Sequence, residues 1–264
     1  NCLDKMAKKK KRKIRIGRLI FLIILLSLIL SGLIYVLYEI ETKNEVFDKE
    51  VTINEIDYSD MKELDLDLYS RSYMLVRLND FKVLYGKNIF DKFYPASLTK
   101  VVTLDTVVKN TNDLNDYSSI SNADYARLIE ANASLAGIKV NYDYTLKDLL
   151  YALVLPSGGD AGLALENYFS SQGKDLISLM NSNLSSLGIK DSHFTNSTGL
   201  HDESLYTTLD DYARVVIDTL NNADAKEILK SYRYTLDDGI TVRSTLRSLE
   251  NYFDEITIYG GKTG

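Results

Sequence analysis

Leu19 to Tyr38 is a run of twenty residues without a single charge, and it follows a segment, residues 1–18, that holds nine Lys/Arg and one acid, Asp4. As a helix rising about 1.5 Å per residue, such a run spans about 30 Å, the thickness of a hydrocarbon core. The basic flank, followed by Glu39, Glu41 and Glu45, predicts an inside N-terminus with the rest of the chain outside. The run ends without an A-x-A-like site, so an uncleaved signal anchor is expected rather than a cleaved signal peptide. Cys2 precedes the run and cannot be a lipoprotein anchor, and Met6 is the expected natural start.

The remaining chain carries a net charge of −14 within a total of −6. That argues against nucleic acid as a partner, because the basic tail is spent on the membrane flank. With 45% hydrophobic residues, one Cys and two Pro in 264 residues, disordered, fibrous and disulfide-scaffold classes are excluded.

The organisation follows from periodicity. Residues 1–18 read as a cytoplasmic tail, 19–38 as a transmembrane anchor, 39–66 as an extracytoplasmic stalk and 67–264 as the folded domain. Tyr73 to Leu78 and Phe81 to Tyr85, joined by Asn79-Asp80, predict a hairpin. Apolar residues at period 3.6 predict helices over 97–109, 145–155, 160–169 and 174–187. Thr208 with Asp211 resembles a capping box opening a helix through Leu220. Strands are expected at 233–236, 240–242 and 256–259. The expected fold is α+β, with helices packed on an antiparallel sheet.

Ser97-Leu98-Thr99-Lys100 places a hydroxyl and an amine three residues apart at a helix start, on one face. A serine becomes a nucleophile when a base takes its proton, and a lysine can be that base when burial and nearby positive charge lower its pKa. The spacing alone is weak, because Ser59 to Lys62 and Ser171 to Lys174 share it. What separates Ser97 is Pro95-Ala96 before it, an apolar helix after it, and two later elements. Pro156-Ser157-Gly158-Gly159 reads locally as a turn between helices, able to present the Ser157 hydroxyl. Lys262-Thr263-Gly264 reads either as a solvated strand end or as a cation, a hydroxyl and an open backbone suited to a carboxylate.

The ordered set S-x-x-K, S-G-x and K-T-G resembles the penicillin-binding, serine-active acyltransferase superfamily. With Phe194-Thr195-Asn196-Ser197-Thr198-Gly199-Leu200, the chain is most similar to the low-molecular-mass serine-type D-Ala-D-Ala carboxypeptidases over roughly residues 66–264. The resemblance implies that Ser97 attacks the peptide bond between two D-alanines of a peptidoglycan stem, with Lys100 as base and Ser157 relaying a proton to the leaving amine. It implies that Lys262 and Thr263, with Gly264, hold the terminal carboxylate, that the Ser97 N–H gives half of an oxyanion hole, and that penicillins acylate Ser97. No cofactor or metal is implied, and the sequence has neither H-E-x-x-H nor a Cys/His cluster; His193 and His201 read as loop residues.

Two positions depart from the family pattern. Gly159 stands where the family has an asparagine whose amide bonds the lysine and the substrate, which is expected to weaken positioning by about 1–3 kcal/mol. The sequence also ends at Gly264, directly after K-T-G, so a truncated reading frame is expected, lacking the residue that gives the second oxyanion donor. The alternatives are a D,D-endopeptidase or β-lactamase of the same superfamily, or a silent member that binds cell-wall peptides.

Overall fold

The computed structural model describes residues 24–37, 56–247 and 256–264. Residues 24–37 are helical (α1). They belong to a separate N-terminal unit, Asn1–Glu50. Among the described residues no helix is long and apolar enough to cross a membrane. The expected tail 1–18, the ends of the expected span and residues 39–55 of the expected stalk lie outside the described residues.

In the second unit the predicted hairpin is present, as β1 (Tyr73–Arg77) paired antiparallel with β2 (Lys82–Lys87), with a register shift between Leu75 and Val76. The chain is already ordered ahead of it. Asp57 and Lys62 bridge to Lys82 and Tyr85 of β2, and Ile56 is buried with Val83. The expected stalk boundary at 66 is therefore too late: alternating apolar positions are sparse there, but backbone pairing along β2 recruits the segment.

A short 3-10 turn, Ala96–Leu98, leads into α2 (Thr99–Asn110). Every residue from Thr99 to Val107 is buried, because α2 is covered by helices on several sides. These include α4 (Leu146–Val154), α5 (Gly159–Ser171), α6 (Leu176–Ser186), α7 (Leu209–Thr219) and α8 (Ala223–Lys230). Side-chain caps start four of them: Thr145, Asp175, Thr208 and Asn222 accept backbone N–H groups from the first turns. The Thr208 hydroxyl takes the Asp211 N–H at 3.1 Å, as the capping pattern predicts. Two helices have no counterpart in the sequence reading, α3 (Asn122–Glu130) and α8.

The expected single antiparallel sheet is not what the described residues form. Besides the β1–β2 hairpin there are two further two-stranded ribbons, β3 (Tyr117–Ser118) with β4 (Tyr144–Thr145) and β5 (Arg233–Thr235) with β6 (Thr241–Arg243). Residues 256–264 form no strand. They are held instead at the end of α8, where the Gly261 N–H donates to Leu229 O at 3.1 Å.

Candidate active site

The 3-10 turn and the first turn of α2 put Ser97 and Lys100 on one face, and Lys100 Nζ donates to Ser97 Oγ at 3.1 Å. Lys100 is 2% exposed. Burial pushes its ammonium down to about 7, with the positive charge of Lys262 acting the same way and Asp160 opposing. Its other bond goes to the carbonyl of Thr198.

That carbonyl is presented by the loop 196–199. Asn196 Oδ1 accepts the N–H groups of Thr198 and Gly199 at 3.1 and 2.7 Å, and the Asn196 amide donates to Leu200 O at 3.0 Å. Thr103 Oγ1 donates to Ser197 O at 2.8 Å and ties the loop to α2. Gly199, at φ 80°, lies so close to the nucleophile segment that a Cβ there would sit 1.8 Å from Ala96 O. Only glycine fits both requirements.

Ser157 ends the turn between α4 and α5 at φ 67°, a left-handed conformation for a residue with a side chain, and it is buried. The element is braced by Asp160, fully buried, whose carboxylate accepts the N–H groups of Ala136, Gly137 and Ile138 at 2.8, 2.8 and 3.1 Å. Lys262 Nζ donates to Ser157 Oγ at 2.9 Å, which brings the last element to the middle one. Burial lowers the Lys262 pKa to about 8. Thr263 Oγ1 lies 2.8 Å from Thr245 Oγ1. Gly264 packs on the nucleophile segment, where a Cβ would meet Leu98 Cγ at 2.7 Å and Pro95 O at 3.0 Å.

All three sequence elements thus converge. Gly159 is the member that brings no polar side chain. Its N–H donates to Ser134 O at 2.7 Å, and a Cβ would point at Ser134 O and Leu128. The sequence reading missed Thr198, which acts through its backbone; Thr245, which lies outside any motif; and the bracing by Asp160. Asn196 was visible as a motif residue, without a role. His193 and His201 stay in loops, His201 stacked edge-on with Tyr94 at 4.6 Å. Among the described residues no group of three or more His, Cys, Asp or Glu could hold a metal ion.

The α+β fold thus brings a serine and a buried lysine beside a second serine–lysine pair. The family model described as D-alanyl-D-alanine carboxypeptidase matches residues 59–264, and the chain belongs to that family. It is 30% identical over 165 residues to the D-alanyl-D-alanine carboxypeptidase DacF of Bacillus subtilis (strain 168), covering 61% of this chain and 39% of the relative. It is 27% identical over 192 residues to the D-alanyl-D-alanine carboxypeptidase of Streptomyces sp. (strain K15), covering 69% and 65%. The chain therefore spans about two fifths to two thirds of the length of these curated relatives. Among solved structures it resembles penicillin binding protein 5 from Haemophilus influenzae, with TM-score 0.67 and 24% identity, covering 77% of this chain and 59% of that one. It also resembles the Streptomyces K15 DD-transpeptidase, with TM-score 0.63 and 25% identity, covering 73% and 79%.

Proposed function

We propose that the protein is a serine D,D-carboxypeptidase that removes the terminal D-alanine from peptidoglycan stem pentapeptides through an acyl-enzyme at Ser97, and that penicillins inhibit it by acylating the same oxygen. The observation that carries this is the Lys100 Nζ to Ser97 Oγ bond at 3.1 Å, made by a lysine held near pKa 7. A lysine of ordinary pKa is charged at neutral pH and takes no proton. Burial, with Lys262 nearby, brings Lys100 down to about 7, within reach of the neutral form.

The roles follow from position. Lys100 takes the Ser97 proton as Oγ attacks the carbonyl carbon. Ser157, bonded to Lys262, relays the proton that Lys100 took to the leaving D-alanine nitrogen. Lys262, charged in most molecules at pH 7, and Thr263 receive the terminal carboxylate, with Gly264 letting substrate approach the backbone. The Ser97 N–H stabilises the developing oxyanion. Water then releases the shortened peptide. Gly159 supplies no amide to Lys100 or to the substrate, so positioning rests on the Thr198 carbonyl.

The family membership supports the substrate class, a peptide ending in D-Ala-D-Ala, and β-lactams as inhibitors. The uncharged run Leu19 to Tyr38 and its basic flank support a single-pass membrane anchor, with the catalytic domain outside the cell membrane. Incubating the protein with a stem pentapeptide and assaying free D-alanine tests the reading. Release from the pentapeptide, none from the tetrapeptide, and loss of release after penicillin are expected. Cleavage of cross-linked dimers with no release from the pentapeptide would replace this reading with the endopeptidase one.

A further inference from the structure

Thr245 belongs to no sequence motif, yet it joins two of them. It stands two residues past β6, next to the buried Ser244, whose N–H donates to Tyr232 O at 2.8 Å. Its own N–H donates to Leu155 O at 3.0 Å, two residues before Ser157, and its Oγ1 lies 2.8 Å from Thr263 Oγ1. The backbone of Thr245 is thus fixed to the turn that carries Ser157. Its hydroxyl reaches the segment that carries Lys262, whose Nζ bonds Ser157 Oγ at 2.9 Å. Building on the proposed function, we propose that Thr245 is a positioning residue for the substrate carboxylate: its hydroxyl donates to Thr263 Oγ1 and so turns the Thr263 proton toward that carboxylate.

A hydroxyl has one proton, so the direction of this bond decides what Thr263 can do. Donating to Thr245 would leave Thr263 no proton for an anion. With Thr245 as the donor the Thr263 proton is free, and a carboxylate held at Lys262 is its acceptor. Each bond in the chain from Thr245 through Thr263 to the carboxylate then polarises the next. The placement matters because residues 256–264 form no strand, so no sheet ladder fixes Thr263. The Gly261 N–H on Leu229 O ties the backbone nearby at 3.1 Å and leaves the Thr263 side chain free to turn, whereas the Thr245 hydroxyl fixes it. Both threonines are exposed, so a carboxylate reaches Thr263 without displacing a packed side chain.

The test uses two D-alanyl thioesters on the full chain, one whose leaving group ends in a carboxylate and one ending in the matching carboxamide. Both acylate Ser97 by the same chemistry, so damage to the fold lowers kcat/KM for both, while lost carboxylate positioning lowers it for the first alone. The native protein is expected to prefer the carboxylate. Thr245→Val, which keeps the shape and the backbone N–H, is expected to lose about tenfold of that preference. Thr245→Ser keeps a hydroxyl and is expected to stay within about twofold of native. Adding Thr245→Val to Thr263→Val is expected to change the preference by less than about twofold, since the first residue acts through the second. The proposal is overturned by an unchanged preference in Thr245→Val, by an equal loss on both thioesters, by the same loss in Thr245→Ser, or by additive losses in the double variant. A native protein that turns over neither thioester, or both alike, overturns it too. A penicillin adduct on Ser97, followed separately by mass, then shows whether the proposed function still stands.

Discussion

Lys262 Nζ donates to Ser157 Oγ at 2.9 Å across 105 residues of sequence, and its charge is one of the causes that keep Lys100 near pKa 7. The element proposed to receive the substrate carboxylate therefore also lowers the pKa of the proposed base. Acylation requires neutral Lys100, so its rate is expected to rise with pH through about 7 and to fall tenfold per unit well below that. Removing the Lys262 charge, in Lys262→Met, leaves burial as the main cause, so the acid limb moves to higher pH while the rate falls. Stopped-flow acylation by a penicillin across pH 5 to 9 reads both effects. An unmoved limb would show that the two lysines do not interact.

Burying Lys100 opposes folding. Its folded pKa of about 7 lies below the ordinary 10.5, so between those values the unfolded chain binds more protons and stability rises with pH. Below pH 7 the penalty is full, and above about 10.5 it is gone. Lys100→Met is thus expected to stabilise the protein by roughly 2–4 kcal/mol at pH 6, with the gain fading toward pH 10, at the expense of activity. Thermal melts at the two pH values check this, and a variant that melts lower at pH 6 contradicts it.

Gly199→Ala places a Cβ 1.8 Å from Ala96 O at a φ that disfavours side chains. The nucleophile segment has to move, and near-attack geometry is lost with it. Acylation is expected to drop at least a hundredfold while far-ultraviolet circular dichroism stays native. Retention of more than a tenth of the native rate would show that loop 196–199 does not fix Ser97.

At Gly159 a Cβ would stand 3.2 Å from Ser134 O, tight but open to a small adjustment. Gly159→Asn offers Lys100 and the substrate the amide that the family pattern supplies. An increase of about tenfold in acylation rate is expected, read by the same stopped-flow assay. A decrease would mean that the Ser134 loop has settled into the space the amide needs.

Much of this was legible in the chain. Ser97, Lys100, Ser157 and Lys262 were singled out by the resemblance of the ordered motifs to a known family, each motif being weak alone, and the four side chains do come together. The helices around α2 declared themselves because several faces are apolar, as at Leu146, Leu149, Leu150 and Leu153. Helix α3 did not, since Leu128 is its single buried residue, and neither did α8, a short helix in which four of eight residues are charged. The Ile256-Thr257-Ile258-Tyr259 alternation reads as a strand, yet the segment is held by Tyr232 Oη on Ile258 O and by Leu229 O on Gly261. The partner of Lys100 was hidden for a different reason. Thr198 contributes a carbonyl, which every residue has, and only the path of the loop selects it.

The central claim is that Ser97, activated by Lys100, is the acylated residue. The most direct test is the intact mass of the full chain after incubation with benzylpenicillin, alongside Ser97→Ala. One penicilloyl adduct on the native protein and none on the variant is the predicted result. No adduct on folded native protein, or an adduct that persists in Ser97→Ala, would contradict the account.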